Sequence, residues 1–236
     1  MPKKQLVVLG ERYRSVLELP LKNQDLIPIF LPDCPWVDPR VAGHGDLMVQ
    51  PVGEDTWIAE PGIYPLVSGL MKPCGQQVIC GEASPGRNYP EEARYDGLLL
   101  GKKFFHNPRC TDQKVKEYLE QQGIRFIAVN QGYASCACGV AAPDRVITAD
   151  QGMADCLERE GIHVLRISSG GIALPGYESG FLGGALFSFG DGRVYVTGRM
   201  DHLPDYQNIM EFLEMAQLTL VTLTSFPVFD CGITAG

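Results

Sequence analysis

Hydrophobic and polar positions follow the same order in two neighbouring segments of the chain. The segments TDQKVKEYLEQQGIRFIAVNQ and ADQGMADCLEREGIHVLRISS align without a gap. Each has an aspartate suited to cap a helix, apolar residues at helical spacing, a glycine and a short apolar run. The pattern predicts a helix from Asp112 to Gly123 and from Asp150 to Gly161, each followed by a strand. Because units this short cannot bury their apolar faces alone, copies must stack on one another.

The same unit, in the order strand, tight turn, strand, helix, strand, can be traced four times along the chain. Its predicted strand pairs are 47–51 with 56–59, 97–100 with 103–106, 132–140 with 145–148, and 181–189 with 194–197. Residues 5–31 would supply most of a fifth copy, and residues 226–234 its first strand. Pairing the chain ends would close the ring and leave no free sheet edge. The expected fold is a single α/β domain, residues 1–236, shaped as a five-bladed propeller of ββαβ repeats.

Charge and composition narrow the possible partners. The formal net charge is −8 and no basic block occurs, which argues against nucleic acid as a ligand. No apolar run approaches the about 20 residues that a membrane helix needs. The apolar run near the N-terminus is too short for a signal peptide, so a cytoplasmic protein is expected. Oligomeric state is left open.

Eight cysteines are present, but none forms a CxxC pair. Zinc and thioredoxin-like sites therefore have little support, and neither a metal nor a cofactor is expected. Cys136 and Cys138 alternate as in a strand, which favours two buried thiols on one face, although Cys136 could also be a reactive thiol. Disulfides are not expected in a reducing cytoplasm.

Five ββαβ units closed by the chain ends resemble the pentein, or guanidino-modifying enzyme, superfamily. This superfamily includes dimethylarginine dimethylaminohydrolase and the arginine and agmatine deiminases. Over residues 43–232 the chain is more closely similar to a set of uncharacterised bacterial proteins in the same superfamily. The shared segments are QGYASC, VITADQGMA, GYESGFLGGALF and MDHLPDYQNI.

The resemblance implies a site near the axis of the ring. In the active enzymes a cysteine on the C-terminal strand attacks the guanidinium carbon, which gives Cys231 this role. Carboxylates hold the planar cation by paired hydrogen bonds, which gives Asp46 and Asp96 a substrate-binding role. The position of the family's proton-transferring histidine falls on Tyr133, whose pKa near 10 suits that task poorly. His44, two residues before Asp46, is the alternative.

Several other residues have a structural and a functional interpretation. Gly183 and Gly184 would let a ligand approach the backbone, or would let strands pack closely near the axis. The other histidines, His106, His163 and His202, are expected to be structural.

The leading hypothesis is a hydrolase or transferase that acts on a small cationic guanidino or amidino compound. The alternative is a non-catalytic pentein that binds a ligand or a partner, a reading that the tyrosine in place of histidine favours.

Overall fold

The computed structural model describes residues 4–236. Within this range the strands are β1 Leu6–Gly10, β2 Ile27–Leu31, β3 Val49–Pro51, β4 Thr56–Ala59, β5 Gln77–Cys80, β6 Leu98–Leu100, β7 Lys103–His106, β8 Arg125–Ala128, β9 Cys138–Ala142, β10 Arg145–Thr148, β11 His163–Arg166, β12 Leu186–Ser188, β13 Arg193–Val196, β14 Thr219–Thr222 and β15 Thr234–Ala235. The α-helices in the same range are α1 Arg14–Lys22, α2 Tyr64–Met71, α3 Gln113–Gln121, α4 Gln151–Arg159 and α5 Tyr206–Met215. None of these helices has the length and apolar character that a membrane crossing requires.

The strands of residues 4–236 form five sheets of three strands with one shared topology. In the first blade, β4 pairs antiparallel with β3 and parallel with β5, and α2 connects the two parallel strands. The blades built from β6–β8, β9–β11 and β12–β14 repeat this order. A hairpin followed by a helical crossover is thus the repeating unit, as the hydrophobic pattern predicted.

The fifth blade is assembled from both ends of the chain. β15 pairs antiparallel with β1 through Val7 with Ala235 and Val8 with Thr234, and β1 pairs parallel with β2. This pairing confirms the predicted propeller of ββαβ units closed by the terminal strands. Five structural repeats therefore surround one axis.

The apolar core consists of five clusters, each shared by two neighbouring blades. Trp57 of the first blade, for example, packs with Leu6 of the fifth, and Phe187 of the fourth packs with Leu17 of the fifth. Every blade buries one face against each neighbour, so no blade could keep its apolar surface from water alone.

The two segments that align in the sequence have the predicted local structure. Asp112 and Asp150 cap α3 and α4, and each carboxylate accepts a backbone N–H bond from the first turn, at 2.9 and 2.8 Å. Gly123 and Gly161 follow these helices with φ of +62° and +79°, in the left-handed region where glycine costs least.

The predicted first strands of three blades began too early. Segments 132–137, 181–185 and 226–233 are turns or irregular chain, and regular strand begins only at Cys138, Leu186 and Thr234. Their small and apolar residues resembled strand, but these segments bend toward the axis. The sequence had suggested that Cys136 and Cys138 lie on the same face of one strand. This was wrong, because Cys136 lies before the strand begins. Cys138 packs in an apolar cluster, whereas Cys136 faces the axis.

Candidate functional site

In every blade, the segment just before the first strand places one residue at the axis. These five residues, which we call the axial ring, are Asp46 before β3, Asp96 before β6, Cys136 before β9, Gly184 before β12 and Asp230 before β15. No side chain of the ring is more than 3% exposed. Five segments distant in sequence thus enclose three carboxyl groups and one thiol.

Cys136 makes the central contacts of the axial ring. Its thiol donates to Asp46 Oδ2 at 3.0 Å, and its Sγ lies 4.0 Å from Asp230 Oδ1. Its backbone N–H donates to Asp96 Oδ1 at 3.1 Å. One cysteine therefore contacts the carboxyl groups of three other blades.

Backbone groups hold the Asp230 carboxylate in place. Oδ2 accepts the N–H of Phe181 at 2.8 Å, and Oδ1 accepts the N–H of Gly232 at 3.0 Å. A β-carbon at Gly184 would lie 2.0 Å from Asp230 Oδ1 and 2.9 Å from Cys136 Sγ. Because Gly184 has no side chain, the fourth blade leaves room at the axis for the side chains of the other four ring residues.

His44 lies beside the axial ring. Its Nδ1 is 3.9 Å from Asp230 Oδ1, and the residue is only 3% exposed. Gly232, at φ +56°, fits against it, since a β-carbon there would approach the His44 side chain to 2.2 Å. The backbone of the fifth blade therefore packs closely against the His44 side chain.

Burial and like charges raise the pKa values of the axial ring. Burial raises the pKa of Asp46 to about 6, although His44 and the Cys136 thiol oppose the shift. Burial and the charge of Asp46 raise the pKa of Asp96 well above its usual range. Burial, followed by the charges of Asp230 and Asp46, raises the pKa of Cys136. Without a bound cation the thiol is therefore protonated at neutral pH.

Three buried polar atoms at this site have no hydrogen-bond partner among residues 4–236. They are Asp46 Oδ1, Asp96 Oδ2 and His44 Nε2. No lysine or arginine of this range forms an ion pair with Asp46, Asp96 or Asp230. Buried polar atoms are normally paired, so this cluster has capacity for a cationic ligand.

The structure brings together four of the residues singled out from the sequence. His44, Asp46, Asp96 and Gly184 meet at the axis, as described above. Gly183, beside them, serves packing, because a β-carbon there would lie 2.2–2.6 Å from backbone carbonyl oxygens of the third blade.

Cys231, the cysteine of the closing segment, lies in different surroundings. Its thiol points to the Gly184 carbonyl oxygen, with the sulfur 3.6 Å away, and it packs in the apolar cluster between the fourth and fifth blades. Burial raises the pKa of Cys231 well above its usual range, and the charges of Asp230 and Asp46 add to the shift. The residue before it, Asp230, is the one that enters the ring.

Tyr133 lies outside the ring, near the molecular surface. Its hydroxyl donates to the Glu92 carboxylate, and its ring packs between Tyr89 and Phe181 at centroid distances of 5.6 and 6.1 Å. Burial, followed by the hydrogen bond to Glu92, raises the pKa of Tyr133. Tyr133 therefore forms part of an aromatic cover and reaches no ring side chain by a hydrogen bond.

Sequence reasoning missed Asp230 and gave Cys136 a packing role first. The signal that could have found them is positional: Asp46, Asp96, Cys136 and Asp230 all lie two to four residues before the first strand of their blade. That signal depends on knowing where each strand begins.

Two cavities approach the axial ring. One, of about 260 Å³, is lined by Gly180, Phe181 and Leu182 on one side and by segment 167–170 on the other. A second, of about 120 Å³, is lined by the first strands of all five blades and by Gly97, Ser135 and Gly183. Since no ring side chain is more than 3% exposed, a ligand larger than an ion reaches the ring only if the segments around it move.

Solved structures with the same fold are guanidino-modifying enzymes. A mutant dimethylarginine dimethylaminohydrolase from Pseudomonas aeruginosa, complexed with citrulline, superposes with a TM-score of 0.56 at 14% identity, covering 94% of this chain and 92% of that one. An amidinotransferase from Microseira wollei, of the saxitoxin biosynthetic pathway, gives 0.55 at 11% identity, covering 95% and 81%. Agmatine deiminase from C. jejuni gives 0.53 at 10% identity, covering 100% and 94%. At such identities the likeness establishes the fold, which is that of the pentein superfamily.

The chain also matches the model of a protein family. The model of a family of unknown function (DUF6873) matches residues 8–234, so the chain belongs to that family. A comparison with curated proteins gives no match.

Proposed function

We propose that the axial ring binds the guanidinium or amidinium group of a small molecule and that the Cys136 thiol attacks its central carbon. The observation that carries this proposal is the set of buried carboxyl groups with unpaired oxygens around a thiol, with which no lysine or arginine of residues 4–236 forms an ion pair. A guanidinium offers planar N–H donors that pair with carboxylates in two-bond contacts. The pentein fold of enzymes with this chemistry adds support by analogy.

The proposed reaction proceeds in two steps. The Cys136 proton passes to Asp46, which already accepts the thiol hydrogen bond, while sulfur forms a bond to the amidino carbon. The C–N bond then breaks and the departing amine takes up the proton that Asp46 accepted, which the His44 imidazole beside the ring could relay. Attack by water breaks the C–S bond, returns the thiol and completes a hydrolysis. Attack by a second amine in place of water would transfer the amidino group.

The positive charge of the ligand has a role in this scheme. Burial and three carboxylates oppose ionisation of Cys136, so the thiol is held inactive in the free protein. A guanidinium beside it would favour the thiolate, because opposite charge stabilises the ionised form. Activation would therefore depend on the substrate.

A covalent probe tests the nucleophile directly. Chloroacetamidine carries an amidinium group and alkylates a thiol with loss of chloride. We expect a single adduct on Cys136 in the intact protein, located by peptide mass spectrometry, and no adduct in Cys136→Ser. Cys138→Ser, which removes a buried thiol outside the ring, is the control and should react normally. Labelling of Cys231 with Cys136 unmodified would transfer the role to Cys231 and contradict the proposal.

The second candidate function is binding without catalysis, and the closed ring favours it. No ring side chain is more than 3% exposed, and the Cys136 thiol is protonated before a cation arrives. A thermal-shift screen with arginine, agmatine and methylated arginines separates the two functions, because ligands of the native state raise its stability. Stabilisation with release of ammonia or an amine supports catalysis. Stabilisation without any product after prolonged incubation supports the binding protein.

A further inference from the structure

His44, Cys136 and Asp230 bring three different donor types together beside the axis. His44 Nδ1 lies 3.9 Å from Asp230 Oδ1, and Cys136 Sγ lies 4.0 Å from the same oxygen. One donor atom from each of the three residues lies within 4.8 Å of the others. The three are buried and come from the entrance to the first blade, the third blade and the fifth blade.

These distances suit one small cation. In a tetrahedral zinc site, with Zn–S near 2.3 Å and Zn–N or Zn–O near 2.0 Å, neighbouring donor atoms are separated by roughly 3.3–3.6 Å. The two separations that involve Asp230 Oδ1, 3.9 and 4.0 Å, exceed this range by a few tenths of an ångström. The third, between Cys136 Sγ and the His44 imidazole, is at most 4.8 Å, so binding requires that side chains rotate to bring the three donors closer together. The combination of thiolate, imidazole and carboxylate matches a borderline-soft divalent ion and differs from the all-oxygen set of calcium or magnesium.

Two further observations indicate a ligand at this position. The His44 Nε2 atom and Asp46 Oδ1 are buried and unpartnered within the described chain, and both residues adjoin the donor set. Asp230 is already oriented by the backbone N–H groups of Phe181 and Gly232, as hydrogen-bond donors behind the ligands orient the carboxylates of known metal sites. A fixed carboxylate, a thiol and a buried imidazole with an unpartnered Nε2 form a built site rather than a loose group of charges.

We propose that His44, Cys136 and Asp230 bind one divalent transition-metal ion of the zinc type. On binding, the S–H bond of Cys136 breaks, the proton leaves to solvent and a sulfur–metal bond forms, with no change of oxidation state. Asp46, which accepts the thiol hydrogen bond in the metal-free protein, loses this donor when the metal binds. This inference goes beyond the guanidino function and does not require it. If both hold, the ion blocks the Cys136 nucleophile and the two ligands compete.

Cobalt(II) is the probe, because its absorption spectrum reports the ligand set. The full-length protein is stripped with a chelator under reducing conditions and titrated with Co²⁺, then with Zn²⁺. We expect one equivalent of Co²⁺ to bind, with the charge-transfer absorption of a thiolate ligand and the visible bands of a tetrahedral ion. Zn²⁺ should displace it. The metal content of protein purified without chelator, measured by mass spectrometry, gives a second readout.

Variants assign the ligands. Cys136→Ser should remove the charge-transfer band and weaken Co²⁺ binding at least about 100-fold, and His44→Gln should weaken binding while the band remains. Cys138→Ser, the matched control, should bind as the unmodified chain does. A folded, stripped protein that binds no stoichiometric Co²⁺, or a charge-transfer band that persists in folded Cys136→Ser, overturns the proposal. Should Cys136→Ser fail to fold, an unchanged spectrum and affinity in His44→Gln would overturn it equally. A failure of guanidino ligands to bind leaves the metal titration unaffected, so the two proposals fail separately.

Discussion

The axial ring and the caps of the outer helices use buried aspartates in opposite ways. At the start of α3, the Asp112 carboxylate accepts the backbone N–H groups of Glu82, Ala83 and Lys114. At the axis, Asp96 accepts the backbone N–H of Cys136 but leaves Oδ2 without a partner among the described residues. Both side chains are fully buried. The outer carboxylate is paired with donors, whereas the ring carboxylate faces other acids.

This difference distinguishes carboxylates that stabilise the fold from carboxylates that serve a ligand site. A carboxylate surrounded by N–H donors stabilises the native state, because its charge is compensated where it lies. A carboxylate buried beside other acids destabilises that state, and such a group persists where a ligand or a reaction needs it. The contrast predicts that substitutions in the outer layer lower stability, whereas neutralising a ring carboxylate does not.

The largest effect is expected where the ring is filled most tightly. In Gly184→Ala the new β-carbon would collide with Asp230 Oδ1 at 2.0 Å and crowd Cys136 Sγ at 2.9 Å, so the ring must open. We expect a loss of about 3 kcal/mol in the free energy of unfolding, measured by urea denaturation, because opening the ring disrupts its packing and the hydrogen bonds of Asp230. The control is Gly69→Ala in α2, where no described atom lies within 4 Å of the added carbon. That change should raise the free energy of unfolding by about 0.5–1 kcal/mol. Equal losses in both variants would show that the ring is no more sensitive to an added β-carbon than α2 is.

His106 at the end of β7 provides a contrast with His44, whose Nε2 has no partner among the described residues. Its Nε2 lies 2.8 Å from the Gly132 carbonyl oxygen and its Nδ1 lies 2.8 Å from Thr111 Oγ1. Burial lowers the pKa of His106 from 6.5 to about 4. Because the unfolded chain takes up this proton first, the neutral imidazole contributes fully above pH 6.5. We expect this stability, about 3 kcal/mol, to be lost as the pH falls toward 4.

Urea denaturation at pH values between 7 and 4 measures this loss. In His106→Gln the titrating group is absent, so the fall in stability over the same interval should be shallower by that amount. Parallel curves for the two proteins would show that acidification acts elsewhere.

The next test compares Asp112, whose carboxylate is paired with N–H donors, with Asp96 of the axial ring. Asp112→Asn replaces one acceptor oxygen with an amide that faces N–H donors, and we expect a loss of about 2 kcal/mol. Asp96→Asn mimics the protonated side chain that burial and Asp46 favour, so stability should stay equal or rise by about 1 kcal/mol. Thermal unfolding in a common buffer compares the two. A loss in Asp96→Asn as large as that in Asp112→Asn would contradict the contrast between ring and outer layer.

The smallest effect is expected at the second helix cap. Asp150→Ala removes the bond to the backbone N–H of Met153 at 2.8 Å and should lower the free energy of unfolding by about 1 kcal/mol. Asp155→Ala on the same helix removes only an exposed ion pair with Arg166 and should change it by less than about 0.5 kcal/mol. A chemical denaturation series on both variants resolves the difference if the cap acts locally.

Much of the outer layer could be predicted from the sequence. Strands 56–59, 77–80, 103–106 and 145–148 have the predicted bounds, and the caps at Asp112 and Asp150 are in place. These features depend on local rules, since a strand alternates, a cap accepts the N–H groups beside it, and a glycine ends a helix. The closure of the ring could also be predicted, because each repeat must pack against a neighbour to bury its apolar face.

The site could be predicted only in part. Asp46 and Asp96 were found because they stand beside glycines near strand starts and match a family pattern. His44 was found because it lies two residues before Asp46. Asp230 was missed, because its neighbour Cys231 fits that pattern, and Cys136 was placed on a strand with Cys138. Which member of an adjacent pair faces the axis depends on where the strand begins.

By itself, the sequence determined the repeating unit, its helix caps and the number of blades, since these depend on contacts between residues close in the chain. The tertiary structure alone decided the content of the axis. Five turns meet there, Gly184 leaves the space, Cys136 and Asp230 turn inward, and Cys231 packs in the apolar cluster behind them. The charge, protonation and ligand of such a site depend on atoms from all five blades, and no single segment of the chain contains them.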